Sequence, residues 1–124
     1  MNIQKSNQPN IWAIQAGMGG VKWELFKGKN IVAASLAESN RNYQINPLTQ
    51  DDKYNETQIR DINYFVKEIQ NDDIVIAFFP SYNKPIKVYG IGQIKSEYIP
   101  PDTENNPSKD ESYRHVHHDH WLIN

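Results

Sequence analysis

Short apolar runs alternate with long polar connections along this chain, and the period of each run predicts an element. After a polar tail over residues 1–10, Trp12, Ile14 and Ala16 of IWAIQA alternate with their neighbours, as one face of a strand does. NIVAASL (Asn30 to Leu36) is a near-continuous small or apolar run, which suits a strand buried on both faces. Between them, GMGGVKW reads as a glycine-rich loop. In ETQIRDINYFVKEIQ, Ile59, Ile62, Val66 and Ile69 recur at spacings of three and four, and Asn55 with Gln58 has the form of a capping box. That segment is an amphipathic helix. NDDIVIAFFP then reads as a polar turn entering a buried strand, with IKVYGIGQIKSEYI as its hairpin-type partner. Gly90 and Gly92 inside the partner predict a bulge or bend, a device that closes small barrels. About five strands and one main helix predict an α+β fold: a small, strongly curved sheet or open barrel with the helix packed against it.

With 124 residues, the chain is long enough for one ordinary domain, placed at residues 11–124. Because the chain ends within a few residues of a strand, truncation of that domain at the C-terminus is an expectation. Hydrophobic residues make up 38% and charged residues 23%, ordinary values for a globular domain. The absence of cysteine excludes disulfides, thiolate metal sites and a cysteine nucleophile, and favours a reducing, cytoplasmic setting. No apolar run approaches the roughly 20 residues of a membrane helix. A formal net charge of −2 provides no global attraction for nucleic acid, so any such binding needs a local basic face.

The candidate chemistry begins at the end of the chain, in YRHVHHDHWLIN. His115, His117, His118, Asp119 and His120 spell H-x-H-x-D-H, the first ligand cluster of metallo-β-lactamase-like hydrolases. A hydrolytic zinc site needs further ligands and an open position for water, and all four histidines of the chain are already counted in this cluster. The segment also alternates: Tyr113, His115, His117, Asp119 and Trp121 against Arg114, Val116, His118, His120 and Leu122. That is strand periodicity, and a plain strand is the better expectation, with no catalytic residues, metal or cofactor. Asp51/Asp52 and Asp72/Asp73 suit solvated turns rather than acid–base catalysis. GMGG lacks the lysine of a P-loop and the spacing of a dinucleotide site.

The order of elements is more specific than any one motif. IWAIQAGMGGVKWELF, then NIVAASL, then a helix ending in FVKEIQNDDIVIAFF, then IKVYGIGQIKSEYI, then YRHVHHDHWL resembles the PUA-like superfamily that includes the EVE and YTH domains. The similarity is greatest to the EVE-like N-terminal DNA-binding domains of McrBC-type modification-dependent restriction enzymes, and covers about residues 11 to 122. The resemblance implies a non-catalytic module that flips a methylated base out of double-stranded DNA into an aromatic pocket. Its NTPase and nuclease partners would lie in other domains or subunits of a restriction or defence complex.

Carried over residue by residue, the resemblance implies a base pocket of Trp23, Ser35, Leu36, Tyr82 and Tyr113, with Leu36 standing where similar domains often have an aromatic wall. Trp12 and Trp121 are assigned to structure. Phosphate contacts are expected from Lys22, Lys84, Lys87 and Arg114, with His115 and His117 as additional donors. Three alternatives remain open: a PUA/YTH-like reader of modified RNA, a small metal-dependent hydrolase using His115, His117 and His120, and a protein-interaction module whose aromatic residues are all core.

Overall fold

Asn55 opens the main helix as a reciprocal cap: its side chain accepts from the Gln58 amide at 2.8 Å, and the Gln58 side chain accepts from the Asn55 amide at 3.0 Å. The computed structural model describes residues 9–80 and 85–123. Among these, β1 (Ile11–Gln15), β2 (Ile31–Ala34), β3 (Ile74–Phe79), β4 (Lys87–Ile94) and β5 (His115–Ile123) form one sheet in the order β1-β3-β4-β5-β2. β1 runs parallel to β3, and the other ladders are antiparallel, including the expected β3–β4 pair. Two helices complete the domain: α1 (Trp23–Lys29) and α2 (Glu56–Asn63). The result is a curled five-stranded half-barrel of the α+β class. No described helix is long and apolar enough to cross a membrane.

The curl comes from irregularities that the glycines permit. The β3–β4 register shifts between Ala77 and Phe78, leaving Tyr89 as the extra residue, and the β4–β5 register shifts between Ile91 and Gly92, leaving Leu122 extra. At Gly92 a Cβ would lie 2.6 Å from Asp119 Oδ2 and 2.9 Å from Trp121 Cε3, so only glycine lets the strands approach this closely. Bent in this way, the sheet brings its edge strands β1 and β2 within 8 Å between Cα atoms, with no ladder joining them.

The helix α1 was not anticipated. It has seven residues, begins just after a glycine loop and contains Gly28, so its apolar signal is reduced to Trp23, Leu25 and Phe26. The buried pair, Trp23 and Phe26, anchors it. Phe26 is fully buried, worth about 2 to 3 kcal/mol, and the helix ends at Asn30 in the left-handed conformation, φ 52°. Its core partners are Ile31, Val32 and Ala33 of β2, Val75 and Ala77 of β3, Ile94 and Val116.

The helix α2 does not continue regularly to the end of its apolar pattern. Tyr64–Glu68 form a π-helical turn, closed by the Ile69 amide donating to the Tyr64 carbonyl at 2.9 Å. The wider turn buries Phe65 while leaving Tyr64 44% exposed. Between β2 and α2, Arg41 organises the long polar connection by donating to Glu38, Asp52 and the carbonyls of Asn46 and Pro47. The guanidinium pulls the Asp52 carboxyl down to about 2.

Candidate functional site

Because the two edge strands approach without pairing, the half-barrel has an open seam, and a cleft of about 520 Å³ lies in it. Trp12, Ile14 and Gln15 of β1, Ser35 and Leu36 just past β2, Asp61 of α2, Tyr64, Phe65, Ile69, Phe78 and Tyr113 line it. The π turn at the end of α2 presents both Tyr64 and Phe65 to this space. Trp12 and Tyr64 meet with ring centroids 5.4 Å apart at 52°, so two large rings share one wall.

Trp12 is held in position by a buried acid. Asp73 accepts from Trp12 Nε1 at 2.8 Å, from the Gln70 amide at 2.9 Å and from the Asn10 amide at 3.1 Å. One carboxylate thereby joins the start of β1, the turn before β3 and the indole of the cleft. The expectation of two solvated turn acids is corrected here: Asp72 is exposed at φ 75°, whereas Asp73 is buried because three donors converge on it.

The structure brings Ser35, Leu36 and Tyr113 together at the cleft, although they come from three separate stretches of chain. Trp23 is not with them. It lies in α1 at 9% exposure, edge-on to Trp121 at 4.8 Å and stacked near Tyr89 at 6.0 Å. Its assignment as a pocket wall is corrected to core, since burial against Trp121 and Tyr89 accounts for it. Trp121 is structural as expected, donating from Nε1 to the Phe26 carbonyl at 3.0 Å. Trp12, assigned to structure, is the indole that reaches the cleft. Tyr82 and Lys84 lie outside the described residues.

The expected phosphate contacts are distributed unevenly. Lys22 pairs with Asp110 and sits 4.9 Å from the Tyr113 ring centroid, at the edge of the cleft. Lys87 is exposed and lies over Tyr89. Arg114 donates to the Asn40 side chain at 2.9 Å. His115 and His117 are fully buried and cannot reach a phosphate, so that expectation is corrected.

Each buried imidazole is engaged within the fold. The Glu38 carbonyl can only accept, so His115 Nε2–H donates to it at 2.8 Å, and Nδ1 accepts from the Tyr98 hydroxyl at 2.7 Å. His117 donates from Nε2 to the Phe65 carbonyl at 2.7 Å, satisfying a helix-end acceptor, while Nδ1 lies 3.1 Å from the Ser96 carbonyl. Burial lowers the pKa of both rings. His118 and His120 are exposed on the opposite face, as the alternation requires, so the chain's H-x-H-x-D-H residues do not converge on one point. Among the described residues, no group of three or more His, Asp or Glu side chains is placed to hold a metal ion.

Of the residues that line the cleft, Asp61, Tyr64, Phe65 and Phe78 were not singled out from sequence, and Trp12 was singled out only as structural. Tyr64 did carry a signal: it is an aromatic residue lying off the stripe of Ile59, Ile62, Val66 and Ile69. No protein-family model matches the chain, and no curated protein matches it. The fold and the site therefore define a class by geometry: an α+β half-barrel with an aromatic cleft at its seam.

Proposed function

We propose that this domain is a non-catalytic reader of a modified base in double-stranded DNA, with the flipped base held in the seam cleft. The observation that carries this reading is the cleft itself, where Trp12, Tyr64, Phe65, Phe78 and Tyr113 surround a space of about 520 Å³. Stacking a base on such a ring is worth about 1 to 3 kcal/mol, comparable with the few kcal/mol needed to unstack and unpair it. A methyl group buried against Leu36 and Ile14 adds about 0.8 kcal/mol. Ser35 and Asp61 supply a hydroxyl and a carboxylate for the polar edge of the base. The resemblance to PUA-like and EVE domains implies a curved sheet with a helix packed against it, with which the curled α+β sheet is consistent, and membership in that superfamily is part of this proposal. In such a system the motor and nuclease reside in other domains or subunits, in the cytoplasm.

The test is a fluorescence-anisotropy titration, at fixed salt, of short duplexes carrying no methyl group, methylated adenine or either common methylated cytosine. A matched RNA serves as competitor, and Tyr64→Ala is measured alongside. One methylated duplex binds tighter than the others, and Tyr64→Ala weakens it by about tenfold or more through lost stacking. Equal affinity for every duplex would refute the proposal, and preferential competition by RNA would transfer the same cleft to a reader of modified RNA.

A further inference from the structure

The loop between β1 and α1 places three glycines at positive φ: Gly17 at 73°, Gly19 at 66° and Gly20 at 78°. At two of them a side chain forces a neighbour to shift, since a Cβ would lie 1.9 Å from Tyr89 Oη at Gly20 and 2.7 Å from Lys22 Cγ at Gly17. The loop is closed by the Lys22 amide donating to the Ala16 carbonyl at 3.0 Å, and braced by the Tyr89 hydroxyl donating to the Gly19 carbonyl at 3.2 Å. Its tip is therefore fixed, and it presents Met18 at 80% exposure with Val21 at 69%. Gly17 lines the seam cleft, so Met18, the next residue, stands at the rim. Nothing in the packing of the domain accounts for an apolar side chain held out at that place.

We infer that Met18 is a wedge that enters the base stack of a duplex and fills the gap left when a nucleotide turns into the cleft. The inference rests on the base-binding reading and adds to it the residue that keeps the duplex open. An unbranched, polarizable side chain suits an irregular gap between base pairs, and apolar wedges of this kind are used to unstack steps in DNA. A wedge acts only where there is a stack to hold open. Its contribution therefore belongs to duplex binding and vanishes on a single strand, whereas the cleft serves both.

The experiment measures the affinity of the whole chain for one methylated oligonucleotide, single-stranded and in duplex, together with unmethylated controls. Met18→Ala is compared with Ile45→Ala, an equally exposed apolar residue (77%) that does not line the cleft. Met18→Ala weakens duplex binding by about tenfold and leaves the single strand unchanged, while Ile45→Ala alters neither. Equal effects of Met18→Ala on both forms, or no effect on either, would overturn the wedge while the base reader stands. If the wild-type chain distinguishes methylated from unmethylated DNA in neither form, the base reader itself fails and the wedge falls with it.

Discussion

Two clusters of aromatic and polar side chains lie on this small sheet, and they differ in where their bonding capacity goes. On the inner face of β5, His115 and His117 are fully buried and their nitrogens meet Tyr98 and the carbonyls of Glu38, Phe65 and Ser96. At the seam, Trp12 is tied to Asp73 by its indole N–H, yet its ring and that of Tyr64 face a cleft. The residue types that looked most like chemistry are consumed by the fold, and rings that looked like packing are left with open faces. Composition marks neither difference. What separates the clusters is whether each group finds its partner inside the protein.

That contrast can be broken first at Asp119, the exception on the closed face. It is 5% exposed, neither carboxylate oxygen has a hydrogen-bond partner among the described residues, and loss of water pushes its pKa up to about 8. The unfolded chain releases this proton near the ordinary value of 3.8, whereas the folded chain keeps it to about 8. Between those limits the native state binds more protons, so this group makes stability fall as pH rises, by up to about 1.4 kcal/mol per pH unit, with no further change above the window. Chemical denaturation of the wild type and Asp119→Asn at successive pH values checks this. The difference between them grows to several kcal/mol in favour of the variant, and parallel curves would show that Asp119 is ionised in the fold.

A smaller loss is expected from His117→Ala, roughly 3 kcal/mol, because it opens a hole and strips the Phe65 carbonyl of its donor. Thermal unfolding reads this directly, and added zinc leaves the wild-type midpoint unmoved because both ring nitrogens face carbonyls. The smallest effect is at the open cluster: Tyr64→Ala costs less than about 1 kcal/mol, since the residue is already 44% exposed. A residue whose removal barely moves the melting curve but removes base-dependent affinity is the signature that would sharpen the comparison. Tyr64→Ala unfolding the chain would instead place that ring with the core.

Much of the local structure was legible from pattern. The alternation of Trp12, Ile14 and Ala16, the capping box at Asn55, the bulges beside Gly90 and Gly92, and the inward set His115, His117, Asp119 and Trp121 all follow from periods of two or 3.6 and from backbone freedom at glycine. α1 was missed because seven residues with two core positions carry little period. Periodicity states which side chains share a face, and it is silent on what that face meets.

Periodicity and turn chemistry specify the number and kind of the long elements, the curled open sheet and the strand nature of the histidine segment. That Trp12 rather than Trp23 reaches the cleft, that Asp73 is buried beneath it, and that residues 12, 35, 64 and 113 line one space are set by contacts between distant elements. The physical reason is the sheet order. β1 and β2 are neighbours in sequence but opposite edges of the sheet, and the curl that faces them across a seam depends on ladders formed by β3, β4 and β5 far along the chain. No local pattern encodes contacts that arise only once every ladder has closed.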